Sequence, residues 1–345
     1  MFIASCSFTT VEQGQEGLES QEDTSPEAAL STPKAEISGT LVIYSGRKES
    51  LVSEIISEFA ITSGVKVEVR YAKSNELAGT IILEGENSPA DIFYSQDPVS
   101  LSLVASEGLF DNISESTLEK VPSWAVDSKG LWVGVSGRSR SLVVKSSYQL
   151  DNGVPNSLYD LNQEKYRGRL GLAPTNSSFI TMISCMVYLD GEEKTFEWLK
   201  GINNLDYSEY PKNSPQVAAV DAGELEIGLV NHYYTLRFNA ENSSNNIENL
   251  YMAEGCGALV MPSGIGVLST SKNKDAALKL IDFLHSEYAQ KAFLNNTYEF
   301  PLAINFDDNS ELPSLDSLNS PKNINWKKLS KFQSKAIELI AKAGF

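Results

Sequence analysis

Apolar and polar positions alternate between two periods along most of this chain, and the alternation predicts an α/β protein. Thr40 to Ser45 (TLVIYS) is an apolar run bounded by Gly46, the signature of a buried strand. Leu51, Val52, Ile55, Ile56 and Phe59 then recur at helical spacing, and Gly64 stands at a helix C-cap position. Val65 to Tyr71 reads as a second strand. Asn75 is placed to cap a helix carrying Leu77, Ile81 and Leu83, Ala90 to Ser95 reads as a third strand, and a helix follows through Leu101, Leu103 and Val104. This β-α-β-α-β order with short connections predicts a parallel sheet covered by helices.

A second α/β unit follows. Trp132 to Val135 and Leu142 to Lys145 are strand-like and flank the polar segment Ser136-Gly137-Arg138-Ser139-Arg140. Leu170 to Ala173 reads as a strand, and helices are predicted from Ser177 or Ser178, over Glu192 to Gly201 with Phe196 and Leu199 inward, and over Pro215 to Ala222. Ile227 to Val230 is a short buried strand that delivers Tyr233 and Tyr234. Ala258 to Leu268 returns to strand, Lys274 to Leu294 forms one long amphipathic helix, and Lys331 to Lys342 ends the chain as a helix with Ile337, Leu339 and Ile340 apolar. Two α/β lobes joined by a hinge describe a binding protein: residues 39–137 plus about 260–303 in one lobe, and 138–259 plus about 304–345 in the other.

Residues 1–38 differ in kind. They are rich in Ser, Thr, Glu, Gln and Pro and almost lack large apolar residues, so they read as a disordered acidic tether. Ile3-Ala4-Ser5-Cys6 resembles a lipobox, with Cys6 as the lipidated residue; the basic and long apolar parts of a leader are missing, so the start reads as truncated. A net charge of −17 and the lack of any Lys/Arg-rich run exclude nucleic acid as a natural partner. Two histidines and three cysteines are too few, and too dispersed, for a structural zinc site. Any bound metal is therefore held mainly by oxygen, which selects hard cations.

No nucleophile elbow, phosphate-binding loop or dinucleotide fingerprint is present, so enzymatic chemistry is not expected. His232, beside the tyrosines, reads as a supporting residue, and His285 as a surface or packing residue. A Cys185–Cys256 bridge is open to an exported protein, though sequence does not establish the approach of the two thiols. Tyr233 and Tyr234 follow a buried strand, where open α/β sheets keep their ligands, and two phenolates suit a hard trivalent cation; packing is the competing explanation. Asn176, Ser177 and Ser178 lie at a strand-to-helix junction whose free N–H groups suit an oxyanion. Arg47 follows the first strand, and Arg138 and Arg140 sit at the presumed crossover; an arginine fork holds such an anion bidentately.

Several ordered motifs between residues 40 and 303 resemble the bacterial ferric-ion-binding proteins, the solute receptors of iron(III) ABC importers. They include Val42-Ile43-Tyr44-Ser45-Gly46-Arg47, Ser88-Pro89-Ala90-Asp91-Ile92-Phe93-Tyr94, Lys212-Asn213-Ser214, Asn231-His232-Tyr233-Tyr234 and Tyr298-Glu299-Phe300-Pro301-Leu302. The resemblance implies a two-lobed type II periplasmic-binding-protein fold, with mixed sheets, helices on both faces and a hinge between the lobes. It implies an extracytoplasmic monomer that delivers Fe³⁺ to an ABC-transporter permease. Tyr233 and Tyr234 match the iron-ligating phenolates, Asn176, Ser177 and Ser178 the segment holding a synergistic carbonate or phosphate, and Asn213 and Asn231 further polar contacts to it. Arg47 is expected to clamp that anion, with Tyr71, Gln96, Arg138 and Arg140 as additional cleft residues. The chain departs from the family where some members carry a His near the first strand (here Arg47 and Lys48), a Glu after the third (here Gln96) and a further Tyr (here Phe179). The first lobe thus offers no matched anionic ligand. The alternative is a receptor for a free oxyanion or small organic ligand, of phosphonate or polyamine type.

Overall fold

A computed structural model describes residues 39–147, 155–243, 246–304, 306, 312–322 and 324–345. The expectations for residues 1–38, Cys6 among them, lie outside the described residues. β1 (Thr40–Ser45) and α1 (Glu49–Ser63) stand where the periodicity puts them; α1 buries Val52, Ile55, Ile56 and Phe59, and Gly64 caps it in the left-handed conformation at φ 71°. β2 (Lys66–Tyr71), α2 (Ser74–Glu84), β3 (Ile92–Ser95) and α3 (Pro98–Ser106) complete the first unit. β1 pairs in parallel with both β2 and β3. Lys73, not Asn75, occupies the N-cap position of α2. Leu83 and Leu103 are 90% and 44% exposed. Each lies two residues from a buried residue, Ile81 or Leu101, which is about 200° around a helix.

After the short α4 (Glu115–Leu118) comes β4 (Val133–Lys145), thirteen residues long. The sequence suggests two strands broken by a polar linker, but the ladder runs without interruption through Ser136–Arg140. The reason is that these polar side chains are buried among partners rather than exposed to water. β5 (Leu170–Leu172), α5 (Ser177–Asp190), α6 (Glu192–Asn203), β6 (Ser208–Glu209), α7 (Asn213–Ala222), β7 (Ile227–Asn231), α8 (His232–Asn242) and β8 (Ile247–Leu250) build the second unit. β9 (Val260–Val267) then returns antiparallel to β3.

The single long helix expected over 274–294 is broken. α9 (Lys274–Leu284) stops at His285, and α10 (Glu287–Ala292) restarts where the Ser286 side chain accepts from the Ala289 N–H. His285 is buried against backbone carbonyls, its Nε2 2.7 Å from Gly134 O. A π-helical turn over Phe293–Thr297 leads to β10 (Phe300–Pro301), and α11 (Trp326–Ser330) and α12 (Gln333–Lys342) close the chain. In α12 Leu339 and Ile340 are buried, whereas Ile337 is 49% exposed.

The strand order is β2-β1-β3-β9-β4-β7-β5-β6, with β8 and β10 also on β4. β4 is shared by two half-sheets. Its first part pairs with β9 and β10, and from Arg140 onward it pairs with β7 and β8. Cys185 in α5 and Cys256 in the turn before β9 form a disulfide. α12 packs on α5 and α6, while α11 touches both α3 and α5, so the C-terminal segment spans helices of both units.

Candidate functional site

Tyr233 and Tyr234 lie in the first turn of α8, just past the end of β7 rather than on the strand itself. Asn231 holds the N-cap position in an extended conformation (φ −93°, ψ 141°). The two rings stack with centroids 4.3 Å apart at 29°. Tyr233 is buried and Tyr234 half-buried. The positive end of the helix favours negative charge on either oxygen. Without a cation, burial and then the neighbouring Tyr234 push the Tyr233 phenol well above its ordinary pKa, although Arg138 opposes the rise. The Arg237 guanidinium lies 5.6 Å from the Tyr233 ring centre.

His232 is committed to support. Its Nδ1 accepts from the Ser139 N–H at 3.1 Å, which leaves Nε2 to donate to Tyr298 O at 2.7 Å. Both ring nitrogens are thereby used by backbone, and burial lowers the imidazole pKa to about 4. The ring meets Tyr233 edge-on at 5.9 Å and lies against Phe300 at 4.5 Å. It fixes the start of α8 against β4 and the segment leading to β10.

Three buried guanidiniums, Arg47, Arg138 and Arg140, surround this junction. Arg140 donates to Ser178 Oγ (3.1 Å), Asn231 Oδ1 (2.8 Å) and Leu229 O (3.1 Å), so one side chain braces the starts of α5 and α8. Burial pulls its pKa down to about 9, and phenolate character at Tyr233 or Tyr234 would offset that fall. Arg138 donates to the Gln96 backbone carbonyl. Arg47 donates to Gln96 Oε1 and to Glu299 Oε2, each at 2.8 Å. The Nε of all three arginines has no partner within the protein, nor has Nδ2 of buried Asn213. Orphaned buried donors of this kind are costly unless something accepts from them, and an oxyanion is the natural acceptor.

The Asn/Ser junction forms an N-cap in which the Ser178 N–H is already taken. Asn176 caps α5 by accepting from the Ser178 N–H at 3.0 Å and from Ser178 Oγ at 2.8 Å. Ser178 is buried and linked to Arg140, whereas Ser177 is exposed. Asn213 opens α7, and its Oδ1 accepts from Gln216 Nε2 at 3.4 Å. Gly46 brings Arg47 in closely: a Cβ there would stand 2.1 Å from Ser74 Oγ and 2.9 Å from Ser74 Cα. Tyr71 ends β2 beside Ser45, and burial with nearby Glu49 raises its pKa. No contact joins it to the tyrosine pair. Tyr44 packs in the core with its hydroxyl donating to Glu84 Oε1 at 3.0 Å, and Phe179 is buried with its ring 6.3 Å from that of Phe345.

Sequence reasoning assigned no role to Glu299. It is wholly buried, paired to Arg47, and accepts from Ser136 Oγ at 2.5 Å. Its sequence signals are its place in the motif Tyr298-Glu299-Phe300-Pro301-Leu302 and an acid set inside an otherwise apolar run. Burial pushes the nearby Tyr94 phenol up to about 12, although Arg47 works against the rise. Among the described residues no group of three or more His, Cys, Asp or Glu could hold a metal.

Comparisons with known proteins identify relatives of the chain. Residues 87–331 match the family model described as bacterial extracellular solute-binding protein. The chain is 32% identical over 308 residues to the Fe(3+)-binding periplasmic protein of Serratia marcescens, covering 88% of this chain and 90% of that one. It is also 32% identical to the major ferric iron-binding protein of Neisseria meningitidis serogroup B, over 86% of this chain and 90% of the relative. Iron-bound HitA from Pseudomonas aeruginosa superposes with a TM-score of 0.81 at 30% identity, over 89% of this chain and 99% of that chain. The Trichodesmium protein solved with iron and citrate ligands does so at 0.78 and 28%, with the same coverage. These relatives are solute-binding proteins and not enzymes, and the shared architecture is the type II periplasmic-binding-protein fold. The chain belongs to the bacterial extracellular solute-binding proteins, in their ferric-ion-binding family.

Proposed function

We propose that this protein captures Fe³⁺ outside the cytoplasm and passes it to the permease of an ABC importer. Tyr233 and Tyr234 bind the ion as phenolates, and a small oxyanion, carbonate or phosphate, completes the coordination. The single observation that carries this reading is the stacked tyrosine pair at a helix start, ringed by buried guanidiniums with orphaned N–H groups. Three buried arginines face one buried carboxylate, so an anion entering with the metal meets uncompensated positive charge. Asn176, Ser178, Asn213, Asn231 and Arg140 surround the anion. Arg47 is already engaged by Glu299 and Gln96, so it contributes through Nε.

In this reading the two lobes are residues 39–137 plus about 260–303 and 138–259 plus about 304–345. They meet along β4, which changes partners at Arg140. Metal binding favours the closed arrangement, which the permease recognises. The protein acts as a monomer held at the membrane through a lipid on Cys6, with the residues after it as a tether. Protonation of the anion or phenolates from solvent, which removes their negative charge, releases the ion.

Addition of Fe³⁺ with carbonate to metal-free protein should produce a visible phenolate-to-iron charge-transfer band. The Tyr233→Phe/Tyr234→Phe double variant should lack it. A wild-type protein that stays colourless at stoichiometric Fe³⁺ would defeat the proposal. The arginine excess also favours a second reading, capture of an oxyanion or organic anion without metal. Calorimetry on metal-free protein separates the two: strong heats from phosphate, phosphonate or citrate alone, unaffected by Fe³⁺, would support it.

A further inference from the structure

Glu299 holds the only buried carboxylate oxygen among the described residues that has no hydrogen-bond partner. Its Oε2 is fully used by Arg47 and Ser136, while Oε1 accepts from nothing. A structural counter-ion for Arg47 would normally fill both oxygens, because a carboxylate offers about four lone-pair sites. An unpartnered carboxylate oxygen in the interior instead suits a cation that arrives later.

The position is right for that role. Glu299 lies between two residues that both touch His232: the Tyr298 carbonyl accepts from the imidazole, and the Phe300 ring lies 4.5 Å from it. His232 in turn meets the Tyr233 ring edge-on. One imidazole therefore links the Glu299 segment to the tyrosine pair.

We propose that Glu299 is an acidic ligand of the ferric ion, supplying a carboxylate from the first lobe through Oε1. The inference rests on the ferric reading of Tyr233 and Tyr234. Carboxylate oxygen is a hard donor and matches Fe³⁺ as phenolate does. Oε2 keeps Arg47 and Ser136, so the pair orients the ligand in the way that hydrogen-bonded partners orient metal carboxylates generally. The same contact draws Arg47 toward the metal and its anion.

The test compares full-length wild type, Glu299→Gln, Arg47→Gln and the Arg47→Gln/Glu299→Gln double variant. Each is loaded with Fe³⁺ and carbonate, then titrated with a competing chelator. Wild type and Glu299→Gln should both show the phenolate band. In Glu299→Gln the band should move to longer wavelength, because a neutral amide leaves the iron more electron-poor, and affinity should fall by at least the roughly 10–100-fold that loss of a supporting metal partner costs. The double variant should bind no better than Glu299→Gln. It also avoids a lone buried guanidinium, so it answers the question even where Glu299→Gln does not fold. Wild-type affinity and band position in Glu299→Gln, or recovery of wild-type affinity in the double variant, would reduce Glu299 to a counter-ion and overturn the proposal. Absence of the band in wild type would remove the ferric reading and this inference together.

Discussion

Capture of a cation by two phenols has a proton count, and that count can be measured. Each tyrosine must lose its proton to become a ligand, so binding of Fe³⁺ at Tyr233 and Tyr234 releases two protons. The metal-free Tyr233 phenol lies well above its ordinary range, held neutral by burial and by Tyr234, so its release persists through neutral pH. The sign follows directly. The free protein binds more protons than the loaded one, so affinity rises with pH and is lost as pH falls. Two protons correspond to about two log units of affinity per pH unit, or roughly 2.7 kcal/mol at about 1.36 per proton. Between about pH 6 and pH 8 the apparent constant should therefore rise by about four orders of magnitude. The assay is loss of the charge-transfer band to a chelator whose own proton dependence is known, at fixed carbonate activity so that the anion's protonation can be subtracted. Tyr234→Phe should reduce the slope to about one proton. A corrected slope near zero, or a slope of two retained in Tyr234→Phe, would refute phenolate ligation.

Two further outcomes test the frame that holds the site. Reduction of Cys185–Cys256, or its replacement by alanines, frees a cross-link spanning 71 residues of sequence; loop-closure entropy puts the loss at about 4 kcal/mol, read as a lower urea midpoint, and an unchanged midpoint would exclude a stabilising bridge. Gly46→Ala drives a methyl group into the Ser74 side chain and backbone, displacing the turn that seats Arg47. It should cost about 1–3 kcal/mol and weaken iron retention, and thermal melts of metal-free and loaded protein that match wild type would contradict this.

The alternation of strands and helices was legible because apolar periodicity is a local property. β1 and the C-cap at Gly64 stand where the pattern puts them. The centre of β4 was not legible, since Arg138, Ser139 and Arg140 look like a linker until their distant partners are known. Ser139 donates to His232, 93 residues away, and Arg140 to Asn231, 91 residues away. Leu83, Leu103 and Ile337 misled for the opposite reason, because an apolar residue off the helix stripe is still apolar. The break after His285 rests on one Ser286 side chain capping a new helix, a contact that a continuous apolar pattern hides. As candidates, Tyr233, Tyr234 and the Asn176–Ser178 junction could be picked out from residue type and context. Glu299 could not, because its partner Arg47 is 252 residues away in sequence.

β4 explains why so much of the site depends on one register. Side chains two residues apart on a strand share a face, so Ser136, Arg138 and Arg140 point the same way. They reach, in turn, Glu299 near β10, Gln96 after β3, and Asn231 with Ser178 at the starts of α8 and α5. A slip of one residue would turn all three away together, which is why the Arg140↔Asn231 pairing has to be held by the apolar ladder from Leu142 to Val144. The same strand changes partners at Arg140, from β9 and β10 to β7 and β8. The contacts of Arg140 lie within the second half-sheet and its helices, whereas Arg138 reaches back to the end of β3. Arg138 pairs with Met261 of β9, which itself pairs with β3, so its contact with Gln96 lies within the first half-sheet; a movement of one half-sheet against the other would leave both that contact and the Arg140 brace intact. On the proposed two-lobe reading, the tyrosine pair and its anion junction would move as one body, and the first half-sheet would bring or withdraw Arg47, Glu299 and Gln96. With Glu299 as the proposed ligand, withdrawing that half would remove its carboxylate and open the iron's remaining ligands to water and protons.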